Sequence, residues 1–190
     1  AFVEGARLPG AAALAAAGLT PVRLQAKEGL SLINGTQFMC AMAALGLARA
    51  RWLVRVSDIA CSMSLEALQG SLTSFHPAIH AARPHAGQGA SARNLRKLLS
   101  GSAIRESHRD CGKVQDAYSL RCTPQVLGAV WDAIAFASRT TAIELNASTD
   151  NPLVFDNGDV LSGGNFHGQP VAQALDFLAV AITTLQAIAE

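Results

Sequence analysis

Apolar positions recur every three or four residues over 27–58, 124–145 and 170–190, the spacing of one buried helix face. Three long helices are therefore expected. The first should break at Asn34-Gly35, a turn-forming pair, then resume through 59–68 and stop at Gly70. Pro124 falls in the first turn of its helix, where a missing N–H costs little. Shorter helices are expected over 9–17, ended by Gly18, and over 90–99. Residues 19–24 read as an extended connection around Pro21. The stretches 71–89, with Pro77, Pro84 and three histidines, and 100–112 read as loops. A small hairpin is expected over 151–160, turning at Asn157-Gly158. The pattern is that of an all-α chain, a bundle of long helices joined by polar loops, with no internal repeat and no low-complexity linker.

Composition adds to this picture in two places. Half of the residues are hydrophobic, 15% are charged, and alanine dominates the apolar share, so helices can approach closely. The formal net charge of +1 leaves no electrostatic footprint for nucleic acid or an anionic membrane. The apolar run 38–47 is short for a bilayer and is followed by Arg49, Arg51 and Arg55, so it reads as a buried helix. Cys40, Cys61, Cys111 and Cys122 lack CxxC spacing and read as reduced thiols. No secretory pattern opens the sequence, and a cytoplasmic location is the expectation.

Polar groups capable of chemistry concentrate in four runs. Gln115, Tyr118 and Arg121 follow one another at three-residue intervals, which on a helix would place an amide, the only tyrosine and a guanidinium on adjoining faces. A guanidinium can fork onto a carboxylate, and a phenol and an amide can move or orient protons. A solvated helix face has the same spacing. Asn34 lies at the expected helix break, Asn146 and Asn151 flank an Asx-Pro turn, and Ser162-Gly163-Gly164-Asn165-Phe166 supplies glycines beside an aromatic ring. Asparagine donates and accepts without net charge, although caps and turns are its commonest use. His76, His80 and His85 lack a third ligand at a suitable spacing, so no metal is expected. His108-Arg109-Asp110 matches a kinase catalytic triplet only by coincidence, since Gln115 stands where the asparagine is required.

Taken together, the strings KEGLSLINGTQ, HRDCGKVQDAYSLRCTPQV, IELNASTDNPLVF and LSGGNFHGQPVA, in this order, resemble the central part of the aromatic amino acid ammonia-lyases, over essentially all 190 residues. The resemblance implies a homotetrameric helical enzyme with sites shared between subunits, of which residues 1–190 form a central portion rather than an independent domain. It implies non-oxidative elimination of ammonia through a methylidene-imidazolone electrophile, formed in the family from an Ala-Ser-Gly segment. No such tripeptide occurs here, and the family places it upstream of Ala1.

Carried over by motif, Asn34, Gln115 and Tyr118 would be catalytic and lie beside the prosthetic group. Arg121 and Asn151 would hold the substrate carboxylate, and Phe166 would pack against both substrate and prosthetic group. The family's principal base, an early tyrosine, has no counterpart in these residues. Cys122, KEGLSLINGTQ and Asn165-Phe166-His167 resemble the histidine-specific members, which convert L-histidine to urocanate in histidine catabolism. Leu127 departs from them and suits tyrosine lyases, which keeps a tyrosine or phenylalanine lyase or aminomutase as an alternative. A catalytically inactive helical scaffold is the alternative from another class.

Overall fold

The structure is a computed structural model and describes residues 1–190. It divides into two compact units, Ala1–Gly35 and Thr36–Glu190. In the smaller unit β1 (Phe2–Val3) pairs antiparallel with β2 (Ala6–Arg7) across a turn where Glu4 and Gly5 both have positive φ. This hairpin was not expected, because two-residue strands show no alternation to read. Helix α1 (Gly10–Ala16) ends as Gly18 turns left-handed at φ +68°. One further helical turn, α2 (Glu28–Ser31), closes the unit, and its Glu28 carboxylate accepts the Gln25 backbone N–H at 2.6 Å.

In the larger unit the three long helices are α3 (Gln37–Ala67), α8 (Thr123–Glu144) and α9 (Gln169–Ala189). Between α3 and α8 lie a 3₁₀ turn (Thr73–Phe75), α4 (Pro77–Ala81), α5 (Ala86–Leu98), α6 (Ala103–Ser107) and the single turn α7 (Tyr118–Arg121). The hairpin β3 (Leu153–Val154) and β4 (Val160–Leu161) separates α8 from α9, with Gly158 at φ +89° in its turn. Helix α3 buries Cys40, Ala43, Leu47, Ala50, Val54, Asp58, Ser62 and Leu65, one stripe at intervals of three and four. Leu47, Ala50 and Val54 meet Leu127, Val130 and Ile134 of α8 and Ala174 and Leu178 of α9 in the main core. A second cluster joins Leu65 to Phe75, Leu95, Leu99 and Leu120.

Chain direction follows from two side-chain contacts. Cys61 Sγ lies 3.1 Å from Thr123 Oγ1 and Arg51 Nη2 donates to Ser138 Oγ at 2.9 Å, so α8 runs antiparallel to α3. Val171 then packs on Cys40 and Ala43, which starts α9 at the other end of α3.

Three expectations need correction. Residues 71–89 are largely helical, because Pro77 begins α4 at a position that needs no N–H donor, while the His76 ring accepts from the Ala78 N–H at 3.2 Å. Residues 100–112 contain α6, capped by Ser102 Oγ, which accepts from the Arg105 N–H at 3.1 Å. The run 38–47 is neither short nor wholly buried: it belongs to a 31-residue helix that exposes Phe38, Met42, Leu45, Trp52 and Met63 on its other faces. By length and composition alone, the stretch containing α3 and helix α9 are both apolar enough to cross a membrane. Arg49, Arg51, Arg55 and the buried Asp58 interrupt α3 in its middle, where charge is costly in lipid.

A close helix crossing fixes α5. A Cβ on Gly87 would stand 2.0 Å from the Gly128 carbonyl oxygen, and one on Gly128 would stand 2.2 Å from the Gln88 nitrogen. The Gly87 N–H, an orphan of the first turn of α5, donates to Asp132 Oδ1 of α8 at 2.9 Å. One turn further on, Ser91 Oγ and Asn94 Nδ2 donate to the buried Asp58 carboxylate at 2.6 and 2.9 Å. Burial pushes the Asp58 carboxyl above its ordinary range, and these two hydrogen bonds oppose the shift.

Candidate functional site

Two polar constellations occupy opposite ends of the long bundle. At the C-terminal end of α3, the chain from 111 to 117 has no regular secondary structure and turns helical only at Tyr118. The expected helical face over Gln115, Tyr118 and Arg121 is thus not formed, since Gln115 precedes the helix. The turn instead folds Arg121 back, and its Nη1 donates to Gln115 Oε1. An amide oxygen so engaged orients one edge of the guanidinium and leaves the remaining donors for a second acceptor. Tyr118 is 77% exposed on the same turn. Gln115 and Arg121 line a cleft of about 550 Å³, which Arg105, His108 and Lys113 also border. Its only carboxylate is Asp116, buried and accepting the Ser71 N–H at 2.7 Å. The cleft is suited to an anion.

At the other end, the loops after α8 and before α9 are tied together through Asn151. Its Oδ1 accepts from Ser162 Oγ at 3.1 Å and from the Gly163 N–H at 2.7 Å, while Asp150 Oδ1 accepts the Asn151 N–H at 2.7 Å. The Asn151 oxygen is therefore committed to the hairpin, and its NH₂ is the group suited to a ligand oxygen. Asn165 Nδ2 donates to the Ser148 carbonyl at 3.3 Å, and His167 Nδ1 accepts the Gln169 N–H at 3.2 Å at the start of α9. Phe166, 42% exposed, stands between these two anchors. Gly168 seats the loop on α3, where a Cβ would meet Met39 Sδ at 2.4 Å. Asn146 is a helix-end residue, donating to the Ala142 carbonyl at 2.8 Å.

The larger unit does not bring the two groups together. Helix α8, 22 residues long, lies between Arg121 and Asn151 and carries the chain about 33 Å. Gln115, Tyr118 and Arg121 form one half-site, and Asn151 and Phe166 form another. Asn34, half-buried, belongs to the smaller unit, where its N–H donates to the Leu30 carbonyl at 2.8 Å past the end of α2.

The remaining motifs resolve into structure. His80 is buried, with Nε2 3.2 Å from the Ser74 carbonyl and Nδ1 3.0 Å from Gln88 Nε2. The carbonyl requires a protonated Nε2 and the amide a bare Nδ1, which describes the neutral ring. Burial lowers its pKa, a carbonyl hydrogen bond opposes the shift, and the Arg96 charge adds to it. No group of three His, Cys, Asp or Glu residues could hold a metal. The four cysteines are free thiols. Leu127 is 1% exposed within the main core, a packing position in the second turn of α8. Sequence reasoning overlooked Asp116 and Lys113; their i,i+3 opposite charges beside Gln115 were the available signal.

Long antiparallel helices with amide-bearing loops at both ends define an all-helical scaffold that carries two polar constellations. The chain belongs to the aromatic amino acid lyase family, whose profile matches residues 1–190. It is 58% identical to the histidine ammonia-lyase of Gloeobacter violaceus over all of this chain and 37% of that protein. With the histidine ammonia-lyase of Sorangium cellulosum it shares 56% identity over 98% of this chain and 38% of that protein. The chain thus spans well under half the length of the curated relatives it matches. Among solved structures, a tyrosine aminomutase from Streptomyces globisporus superposes with a TM-score of 0.89 at 40% identity, covering 99% of this chain and 39% of that one. Histidine ammonia-lyase from Trypanosoma cruzi superposes at 0.82 with 46% identity, covering 93% and 32%.

Proposed function

We propose that these residues are the central part of a histidine ammonia-lyase, which eliminates ammonia from L-histidine to give urocanate, and that its sites are completed between copies in a homotetramer. The observation that carries this reading is the Arg121 guanidinium held by Gln115 beside an exposed Tyr118, on a chain 58% identical to a histidine ammonia-lyase. A carboxylate docks on the free donors of Arg121 and on the amide NH₂ of Asn151. Because α8 separates those two groups by about 33 Å, a single bundle cannot supply both to one substrate. Two copies arranged end to end can.

The donor set suits the family's prosthetic group. Gln115 and Tyr118 in one half-site and Phe166 in the other offer an amide, a phenol and a ring without formal charge, which match a neutral polar heterocycle. Gly163 and Gly164 leave open space beside Phe166, since a Cβ on either meets nothing within 4 Å. When bound, the methylidene-imidazolone supplies an electrophilic carbon that activates the substrate for loss of ammonia. The residues of this chain do the rest of the positioning: Arg121 and Asn151 fix the carboxylate, Gln115 orients Arg121, Phe166 excludes water from one face, and the Tyr118 phenol exchanges a proton. The cytoplasm is the proposed location, in keeping with four free thiols.

The second reading, a tyrosine aminomutase or lyase, is favoured by the 0.89 superposition on the Streptomyces globisporus enzyme. The complete polypeptide decides between them when assayed with L-histidine and L-tyrosine, following urocanate and coumarate by absorbance. Urocanate formation whose kcat/KM falls sharply but measurably in Arg121→Ala supports the first reading. Coumarate or β-tyrosine as the product supports the second, and no turnover of either amino acid, or of L-phenylalanine assayed in the same way, leaves the scaffold.

A further inference from the structure

The geometry points to Asp116 as a positioning residue for the Gln115–Arg121 pair, holding both through a strap between residues 113–116 and the end of α3. This inference rests on the proposed role of Arg121 in carboxylate binding.

Asp116 is 7% exposed in a segment where Val114, two residues earlier, is 97% exposed. Such burial of a carboxylate is costly unless its oxygens are engaged. Oδ2 accepts the Ser71 N–H at 2.7 Å, and Oδ1 lies 3.5 Å from Lys113 Nζ. Lys113 Nζ also donates to the Leu68 carbonyl at 3.2 Å, one of the orphan acceptors past α3. Lys113 and Asp116 are therefore both fastened to residues 68–71. The seat is shaped for this, because a Cβ on Gly70 would lie 2.8 Å from Leu65 Cγ and 3.3 Å from Asp116 Oδ1.

The strap does not serve the helix that follows. Ala117 is the N-cap of α7 and makes no side-chain cap, so the Asp116 carboxylate is not spent on helix initiation. Its effect falls on its neighbours. Gln115 is the residue directly before Asp116 and borders the same cleft, so anchoring the Asp116 side chain fixes the backbone from which the Gln115 amide projects. There Gln115 Oε1 meets Arg121 Nη1. Asp116 touches neither Arg121 nor the open edge of the guanidinium in any hydrogen bond, and acts through Gln115.

The test uses the complete enzyme and a double-mutant cycle between Asp116→Asn and Arg121→Ala, read as kcat/KM for L-histidine. Asp116→Asn keeps the shape and removes the charge that engages Lys113. It should lower kcat/KM about tenfold or more, with the loss mainly in KM. Inhibition by urocanate should weaken in parallel, while inhibition by imidazole, which has no carboxylate, stays unchanged. In the Arg121→Ala background the same substitution should have no further effect. Hydrogen exchange should quicken across 111–121 and not in α8 or α9. Equal losses in both backgrounds, or weakened imidazole inhibition, would overturn the inference in favour of a general structural role. Should Asp116→Asn fail to accumulate, Lys113→Met loosens the same strap from its exposed side and enters the same cycle. Full activity in Arg121→Ala removes the reading on which the inference rests; a large loss there with none in Asp116→Asn removes the inference alone.

Discussion

Gly128→Ala tests the closest helix approach in the chain. The new Cβ would stand 2.2 Å from Gln88 N and 2.4 Å from Gln88 Cα, where ordinary contact begins at 3.4 Å, so α5 must withdraw by about 1 Å. Both obstructing atoms are backbone, and no rotamer change relieves them. A shift of that size carries Ser91 and Asn94 beyond hydrogen-bonding range of Asp58, from 2.6 and 2.9 Å. Hydrogen bonds to a charged group are worth about 1.5–3 kcal/mol each, whereas Ala returns about 1 kcal/mol of helix propensity. The net loss is about 3 kcal/mol, with partial relaxation of the helix pair included. Thermal unfolding of the complete enzyme, followed by circular dichroism, should show it as a clear drop in Tm. Gly89→Ala, in the same helix, meets only Arg93 Nη1 at 3.5 Å and should be neutral or stabilising. Equal melting temperatures for the two variants would refute the account.

Other substitutions probe the half-sites and the core. Arg121→Lys in the complete enzyme should lose at least about tenfold in kcat/KM, because an ammonium cannot bond to Gln115 and fork onto a carboxylate at once; wild-type kinetics would contradict the assignment. Asn151→Ala removes the acceptor for Ser162 Oγ and the Gly163 N–H, so exchange should quicken over 162–166 and KM should rise. His80 has its folded pKa lowered by burial, so the unfolded chain takes up the proton first. Its contribution to stability is present above about pH 6.5 and is lost as pH falls through the folded value. His80→Gln should therefore melt with a shallower dependence on pH between 7.5 and 5.5 than the parent, and parallel curves would count against the argument.

What the sequence made legible divides along physical lines. The stripe Cys40–Leu65 on α3 and the Asn157-Gly158 turn were readable because periodicity and a left-handed glycine are local signals. Pro77 and the glycines of α5 misled the reading: a proline can begin a helix as well as end one, and Gly87 is required by contact with Gly128 rather than by a turn. Three-residue spacing at Gln115, Tyr118 and Arg121 was read as a helical face, yet spacing does not report where a helix starts, and this one starts only at Tyr118. The separation of Arg121 from Asn151 was in plain view, since the expected helix 124–145 is long enough to carry them apart. The common purpose proposed for them rests only on resemblance, because no local pattern links two loops at opposite ends of a bundle.

That separation has a genetic consequence. An allele lacking Arg121 and an allele lacking Asn151 damage different ends of the same bundle, so in the proposed homotetramer the sound end of one product would pair with the sound end of the other. Two individually inactive alleles should then complement within one gene, with activity rising towards the statistical fraction of intact pairings. Two alleles damaged at the same end, such as Gln115 and Arg121, should not.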